Sequence, residues 1–267
     1  MGNTIFRAIL GAVCIGFTTL AAASPARADN VCDAALDGQW DRRNDTCTTM
    51  IVSQRQAVMA LKVDLPQDLI AHPTLGPPLL GYLRDRAQTW RAEGRRMVRA
   101  SDVTIDHRTY AHKTVRSVVF HEFQQTVGNP ANNAFQSFTF DLDTGRQLAL
   151  ADLLRPGVDP RTTLPPLARP FLTESLDHAR PPHDTGTYPF TTDRFEPQAG
   201  ASNYSGDYRA FALTPDELIL FMPDRPMAHE NPWPQDRLVW SMDGGAVETH
   251  IPLAALRSIL RQDLTMY

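Results

Sequence analysis

The chain has 267 residues, 42% of them apolar, with 26 lysines and arginines against 30 aspartates and glutamates, a formal net charge of −4. That length builds one large domain, or a small module ahead of a domain, with a real core. The acidic balance argues against a nucleic-acid partner, which needs clustered positive charge, and against adsorption to anionic lipid.

Taken in chain order, Arg7 precedes an apolar, small-residue run from Ala8 to Ala23, and Ala26 and Ala28 form an A-x-A cleavage signal before Asp29. This is the layout of a signal peptide over 1–28, because the run is shorter than the roughly 20 residues a spanning helix needs. No later segment is apolar over that length, so the sequence predicts a secreted or envelope protein with no stable membrane span after cleavage. Cleavage removes Arg7, Cys14 and Arg27, leaving 24 basic residues against 30 acidic ones and two cysteines. In an oxidising compartment those two predict one disulfide, Cys32 to Cys47. In the chain-entropy model such a staple is worth roughly 3 kcal/mol.

The stapled segment, over 29–56, carries Trp40 among Asp37, Asp41, Arg42 and Asn44. Sugar rings offer flat C–H faces that stack on indole, and their hydroxyls pair with carboxylates and amides. Asp37, Trp40, Asp41 and Asn44 are therefore candidate ligand contacts. The alternative is that Trp40 plugs the core of its own small loop.

Over 57–267 the sequence predicts a larger α+β domain. Ile51, Val52, Val58, Met59, Leu61 and Val63 mark one or two strands that Pro66 ends. Leu79, Leu80, Leu83, Ala87 and Trp90 lie on one helix face, predicting a helix over 77–98. β-branched and aromatic runs predict strands in 103–112, 114–127 and 134–142, the last turning at Asp143-Thr144-Gly145. A short helix follows at 149–154, stopped by Pro156-Gly157, and then a helix near 163–179 that Pro170 should kink. Two strands surround the turn Thr214–Glu217, a last hairpin turns at Asp243-Gly244-Gly245, and residues 253–262 close the chain as a helix. Strands with segregated helices mean α+β, with a mixed or antiparallel sheet of hairpins packed against two or three helices.

Between them, 180–208 is rich in Pro, Gly, Ser, Thr and Asp, and a loop of that length is usually functional. Its Tyr188, Phe190, Phe195, Tyr204 and Tyr208 suit a recognition surface, since rings offer large contact area at small entropic cost. Tyr188, Phe190, Tyr204 and Tyr208 join the candidate contacts, and the alternative is that these rings pin the loop to the domain.

Catalytic signatures are weak. Asp143-Thr144-Gly145 and Asp184-Thr185-Gly186 spell the aspartic-protease triplet, but 41 residues apart, too close for two lobes; turns explain both. Asp141 to Gly145 opens like a calcium loop and fails at its later ligand positions. Gly200-Ala201-Ser202-Asn203-Tyr204 fails the G-x-S-x-G elbow. His121, His178, His183 and His229 could supply a base, but no spacing pairs them with Ser202 or Ser205. No catalytic residue, cofactor or metal is assigned.

The order strand, "FDLDTGRQLALADLL", helix, long loop, "YRAFALTPDELILFMPD" and terminal "IPLAALRSIL" resembles the domain shared by the secreted immunogenic protein of tubercle bacilli and the RsiV-type anti-sigma factors. The resemblance spans about 57–260. It implies an outward-facing α+β domain that works by binding; in the anti-sigma relatives the ligand is lysozyme, and some cell-wall members have been called esterases. Family members often carry Gly-Gly-x-His-Pro before the hairpin, whereas this chain has "VGNPANNAF", with Asn132 or Asn133 in the histidine's place. The staple, with Cys32, Asp37-Gly38, Trp40 and Cys47, resembles short modules called mannan-binding. Together these imply an exported binding protein for an envelope polysaccharide or a secreted protein such as a lysozyme. The alternative is an envelope esterase acting on acyl esters.

Overall fold

The computed structural model describes residues 28–179, 182–197, 207–223, 240–241 and 245–265. The signal-peptide expectation falls outside them except for its last residue. The fold is α+β, in four layers: helix, large sheet, small sheet, helix.

The chain enters through α1 (Ala28–Leu36), a short strand β1 (Gln39–Asp41), β2 (Thr46–Val52) and β3 (Val58–Asp64). A one-turn α2 (Gln67–Ile70) leads into α3 (Gly76–Arg96), which crosses over to β4 (Ser101–His112). β4 pairs parallel with β3, and every other pairing is antiparallel. β5 (Val115–Thr126), β6 (Asn132–Asp141) and the short β7 (Arg146–Leu148) continue the sheet. A 3-10 turn (Leu150–Leu153) precedes α4 (Pro160–His178). β8 (Phe211–Leu213), β9 (Glu217–Pro223) and β11 (Ala246–Pro252) form a second, three-stranded sheet, while β10 (Trp240–Ser241) pairs with β6 in the first. A one-turn α5 (Gln262–Thr265) ends the described chain.

Alternation along the strands decides what each face meets. Cys47, Ile51, Met59, Leu61, Val63, Val103, Ile105, Val118 and Phe120 point to one face and pack under α3, whose Leu79, Leu83, Ala87 and Trp90 form the buried stripe. The other face of β5 and β6 carries Val119 and Phe135, packed against Ala210, Ala212, Ile219 and Phe221 of the second sheet. Two large-sheet hydroxyls stitch the layers: Ser137 Oγ accepts from Phe211 N–H at 2.9 Å and Ser117 Oγ from Leu213 N–H at 3.3 Å. The outer face of the small sheet, with Leu218, Leu220, Met222, Val247 and Ile251, packs on Leu164, Ala168, Leu172 and Leu176 of α4. That four-residue stripe keeps α4 unbroken through Pro165, Pro166 and Pro170, despite the donors they remove.

Three expectations are corrected. The stapled segment is not a separate module: β2 pairs with β3 along its whole length, so a boundary at 56/57 cuts a hairpin, and Cys32, Leu36 and Cys47 share the core beneath α3. Among the described residues the last hairpin is not paired: β10 joins β6 in the large sheet and β11 joins β9 in the small one, while Asp243 and Gly244 of its turn lie outside them. The closing helix is a run of tight turns over 253–259, in which the Arg155 guanidinium draws off the carbonyls of Arg257 and Leu260. Leu260 bridges back to Leu154 instead.

Candidate functional site

β4 and β5 are neighbours over twelve residues each, and their register sets two rows of side chains on opposite faces. On the helix face Glu122, fully buried, is gripped by one stripe of α3. Tyr82 donates to Oε1 at 2.6 Å, Arg86 donates to both oxygens at 2.5 and 2.9 Å, and the Trp90 indole donates to Oε2 at 2.8 Å. Spaced four residues apart on α3, these donors saturate the carboxylate and anchor the helix to the sheet. No solvent or ligand reaches this group.

The opposite face is different. Asp106, His121 and Phe135 stand side by side on β4, β5 and β6. His121 Nδ1 lies 3.1 Å from Asp106 Oδ2, and its ring stacks on Phe135 at 4.9 Å. Phe135 in turn meets Phe221 of β9 at 5.6 Å. Where the small sheet ends, Arg108 lies 5.0 Å over the Phe221 ring and forks onto Glu248 of β11 at 2.6 and 3.0 Å. Tyr110 closes the row against Phe221 at 6.0 Å. The result is an aromatic floor with a rim of Asp106, His121, Arg108 and Glu248, whose side chains are 45%, 23%, 45% and 31% exposed. The hydrogen bonds that Arg108 donates to Glu248 raise the Arg108 pKa, and burial raises that of Tyr110.

Beyond this groove the same face of β2, β3 and early β4 is not covered by the small sheet. Met50, Val52 and Val58 are 60%, 56% and 36% exposed there, and Val52 and Val58 are direct cross-strand partners. This apolar group lies at the β2–β3 hairpin end of the face, away from Asp106 and Arg108.

The residues singled out from sequence lie elsewhere. The disulfide is formed, with Cys32 and Cys47 buried. Trp40 is half-buried and packs on the core beneath α3. Asp41 accepts from Arg43 N–H at 2.9 Å and from the Asn44 amide at 2.7 Å, which closes the β1–β2 turn. Those bonds, the backbone one first, hold the Asp41 carboxyl below the usual range. Asp37 sits at a left-handed φ of 47°, 3.5 Å from the Arg91 guanidinium. Gly38 is required here, since a Cβ would fall 2.6 Å from the Cys47 sulfur.

In the long loop, Phe195 and Tyr208 are buried at 0% and 2%, within the core between α4 and the small sheet. Tyr208 is thus corrected from ligand contact to core residue, and burial pushes its hydroxyl pKa up. Tyr188 and Phe190 are half-buried against the same core, in a row of rings with His183. Tyr204, Ser202, Ser205 and His229 lie outside the described residues. His178 Nδ1 is 2.8 Å from the Glu174 carbonyl of its own helix. Both Asp-Thr-Gly triplets are turns, with Gly145 and Gly186 at φ 67° and 77°. Among the described residues no three His, Cys, Asp or Glu side chains cluster as for a metal, and no helix is long and apolar enough to cross a membrane. Sequence reading named His121 only as a possible base and passed over Asp106, Arg108, Tyr110, Phe221 and Glu248, whose strands alternate polar and apolar but whose covering layer no local pattern reveals.

Residues 151–254 match the family model described as "Protein of unknown function (DUF3298)". They make up α4, the small sheet and β10, less than half of the chain. Two solved structures are similar: a DUF3298 family protein from Pseudomonas aeruginosa PAO1, at 14% identity and TM-score 0.48, covering 82% of this chain and 93% of that one; and a DUF3298 member from Bacteroides fragilis NCTC 9343, at 12% identity and TM-score 0.46, covering 81% and 92%. No curated protein matches the sequence significantly.

Proposed function

We propose that this is an exported binding protein whose ligand is a cell-envelope glycan or a secreted protein, held in the groove between the two sheets. The observation that carries this reading is the part-exposed row Asp106, His121, Arg108 and Glu248, held at fixed positions over the buried rings of Phe135 and Phe221. Such a row offers donors and acceptors at fixed positions, which sugars and polar protein loops both require. The disulfide fits an oxidising compartment. The test is titration of the purified chain against envelope polysaccharides and lysozymes. One of them should bind, and Arg108→Ala and His121→Ala should each weaken that binding with little change in melting. Binding left intact by both variants would remove the groove from the reading.

The Asp106–His121 pair favours a second reading, an acyl esterase, because a carboxylate that orients an imidazole is how a general base is built. The serines that would complete it, Ser202 and Ser205, are outside the described residues. Hydrolysis of short acyl esters that collapses in both His121→Ala and one serine variant would establish it.

A further inference from the structure

On the helix face of the large sheet, at the far end of α3, a cleft of about 490 Å³ is lined by Gln54, Arg55, Ala92, Arg95 and Arg96. It joins two elements. Arg55 sits in the β2–β3 turn, which is held by the buried Ser53: its hydroxyl accepts from Arg55 N–H at 3.1 Å and from Ala57 N–H at 3.0 Å, while Ser53 N–H donates to the Ala57 carbonyl at 2.8 Å. Arg95 and Arg96 come from the last turn of α3, drawn against that hairpin by Gly94. A Cβ at 94 would fall 2.9 Å from the Ile51 side chain and 3.1 Å from the Met59 sulfur. The turn and the helix end are therefore both fixed, and arginines from both elements line one cleft.

Arg96 has one carboxylate, Glu93, at 3.4 Å. Neither Arg55 nor Arg95 has an ion-pair partner among the described residues. The setting is uneven: residues 84–99 hold six arginines against two acids in a chain that is acidic overall. Part of this positive charge complements the carbonyl end of α3, which Arg95 and Arg96 serve as last-turn residues. That role does not require Arg55, which comes from another element.

We propose that this cleft binds an oxyanion, phosphate or carboxylate, carried on an acidic polymer, of the envelope if the exported reading holds. Forked guanidinium donors match such groups in bidentate geometry, and arginine binds them with more geometric specificity than lysine. The site is on the opposite sheet face from the Asp106–His121 groove and stands apart from the function proposed for it.

The test uses the full chain with disulfide intact, titrated at low salt with polyphosphate, with polygalacturonate, with neutral dextran and with anionic phospholipid vesicles. One or both polyanions should bind, dextran should not, and the affinity should fall as salt rises. Arg55→Ala/Arg95→Ala should weaken polyanion binding by about tenfold or more, whereas Arg194→Ala/Arg257→Ala, exposed arginines with the same loss of charge, should leave it within about twofold. Which polyanion binds identifies the oxyanion. No polyanion binding, an equal loss in both double variants, or binding to vesicles alone would overturn the proposal. Failure here leaves the groove reading untouched, since Arg108→Ala and His121→Ala alter neither the cleft nor its arginines.

Discussion

Glu122 and His121 are adjacent in β5, yet one is sealed and the other half-open. Glu122 points under α3 and receives bonds from Tyr82, Arg86 and Trp90. His121 points the other way, keeps a single carboxylate neighbour, and stacks on an aromatic floor that the small sheet only partly covers. The pleat gives the two residues opposite faces, and the layer packed on each face decides whether a polar group anchors the fold or stays available. A charge whose every lone pair is answered by its own chain has nothing left to recognise. Groups on the other face are paired with one another but stay part-exposed at fixed positions.

The contrast can be broken hardest on the helix face. Glu122→Ala leaves the Arg86 guanidinium buried without its partner and should cost about 3–5 kcal/mol in urea unfolding. Replacing both Glu122 and Arg86 with leucine should recover the part owed to the unpaired guanidinium, while Tyr82 and Trp90 still lose their acceptor; a double variant less stable than Glu122→Ala would overturn this account. Next comes the staple. Cys32→Ser/Cys47→Ser should lose roughly 3 kcal/mol, and reduction of the wild type should give the same shift. Gly38→Ala, forced against Cys47, should cost about 1–3 kcal/mol as overpacking, and melting curves would register it.

On the open face the expected effects move from stability to binding. Arg108→Ala should change unfolding by about 1 kcal/mol or less, because an ion pair this exposed is screened. It should nevertheless lower affinity for the ligand by about tenfold, read by titration calorimetry. The smallest effect belongs to Asp41. Its folded pKa lies below the ordinary 3.8 because Arg43 N–H and the Asn44 amide bond the ionised form. Its contribution is therefore fully present above the unfolded value and is lost as pH falls through the lower folded one. The melting difference between wild type and Asp41→Asn should be visible at neutral pH and vanish in that acid window.

Much of the architecture is legible in the sequence because it is local. The α3 stripe of Leu79, Leu83, Ala87 and Trp90, the β-branched run of β5 and the Asp143-Thr144-Gly145 turn each declare themselves within a dozen residues. The staple follows from the cysteine count once the N-terminal segment with Cys14 is set aside. What fails is assignment between layers. β10 and β11 look like one hairpin, and only the competing edges of β6 and β9 send them apart. Tyr208 looks like a loop aromatic because nothing nearby shows that α4 and the small sheet close over it. The groove was invisible for the same reason: Arg108 and Glu248 are 140 residues apart and meet only once both sheets are stacked.

That late meeting has a consequence for how the molecule is made. Trp240 pairs with Ala134, β11 completes the small sheet, and Leu260 bridges back to Leu154, so strands from the last 30 residues enter both sheets. Neither sheet can finish until the chain is almost entirely available, and such distant pairings form slowly against the cost of closing long loops. A polypeptide wired this way reaches its native layers only once β10 and β11 have been synthesised.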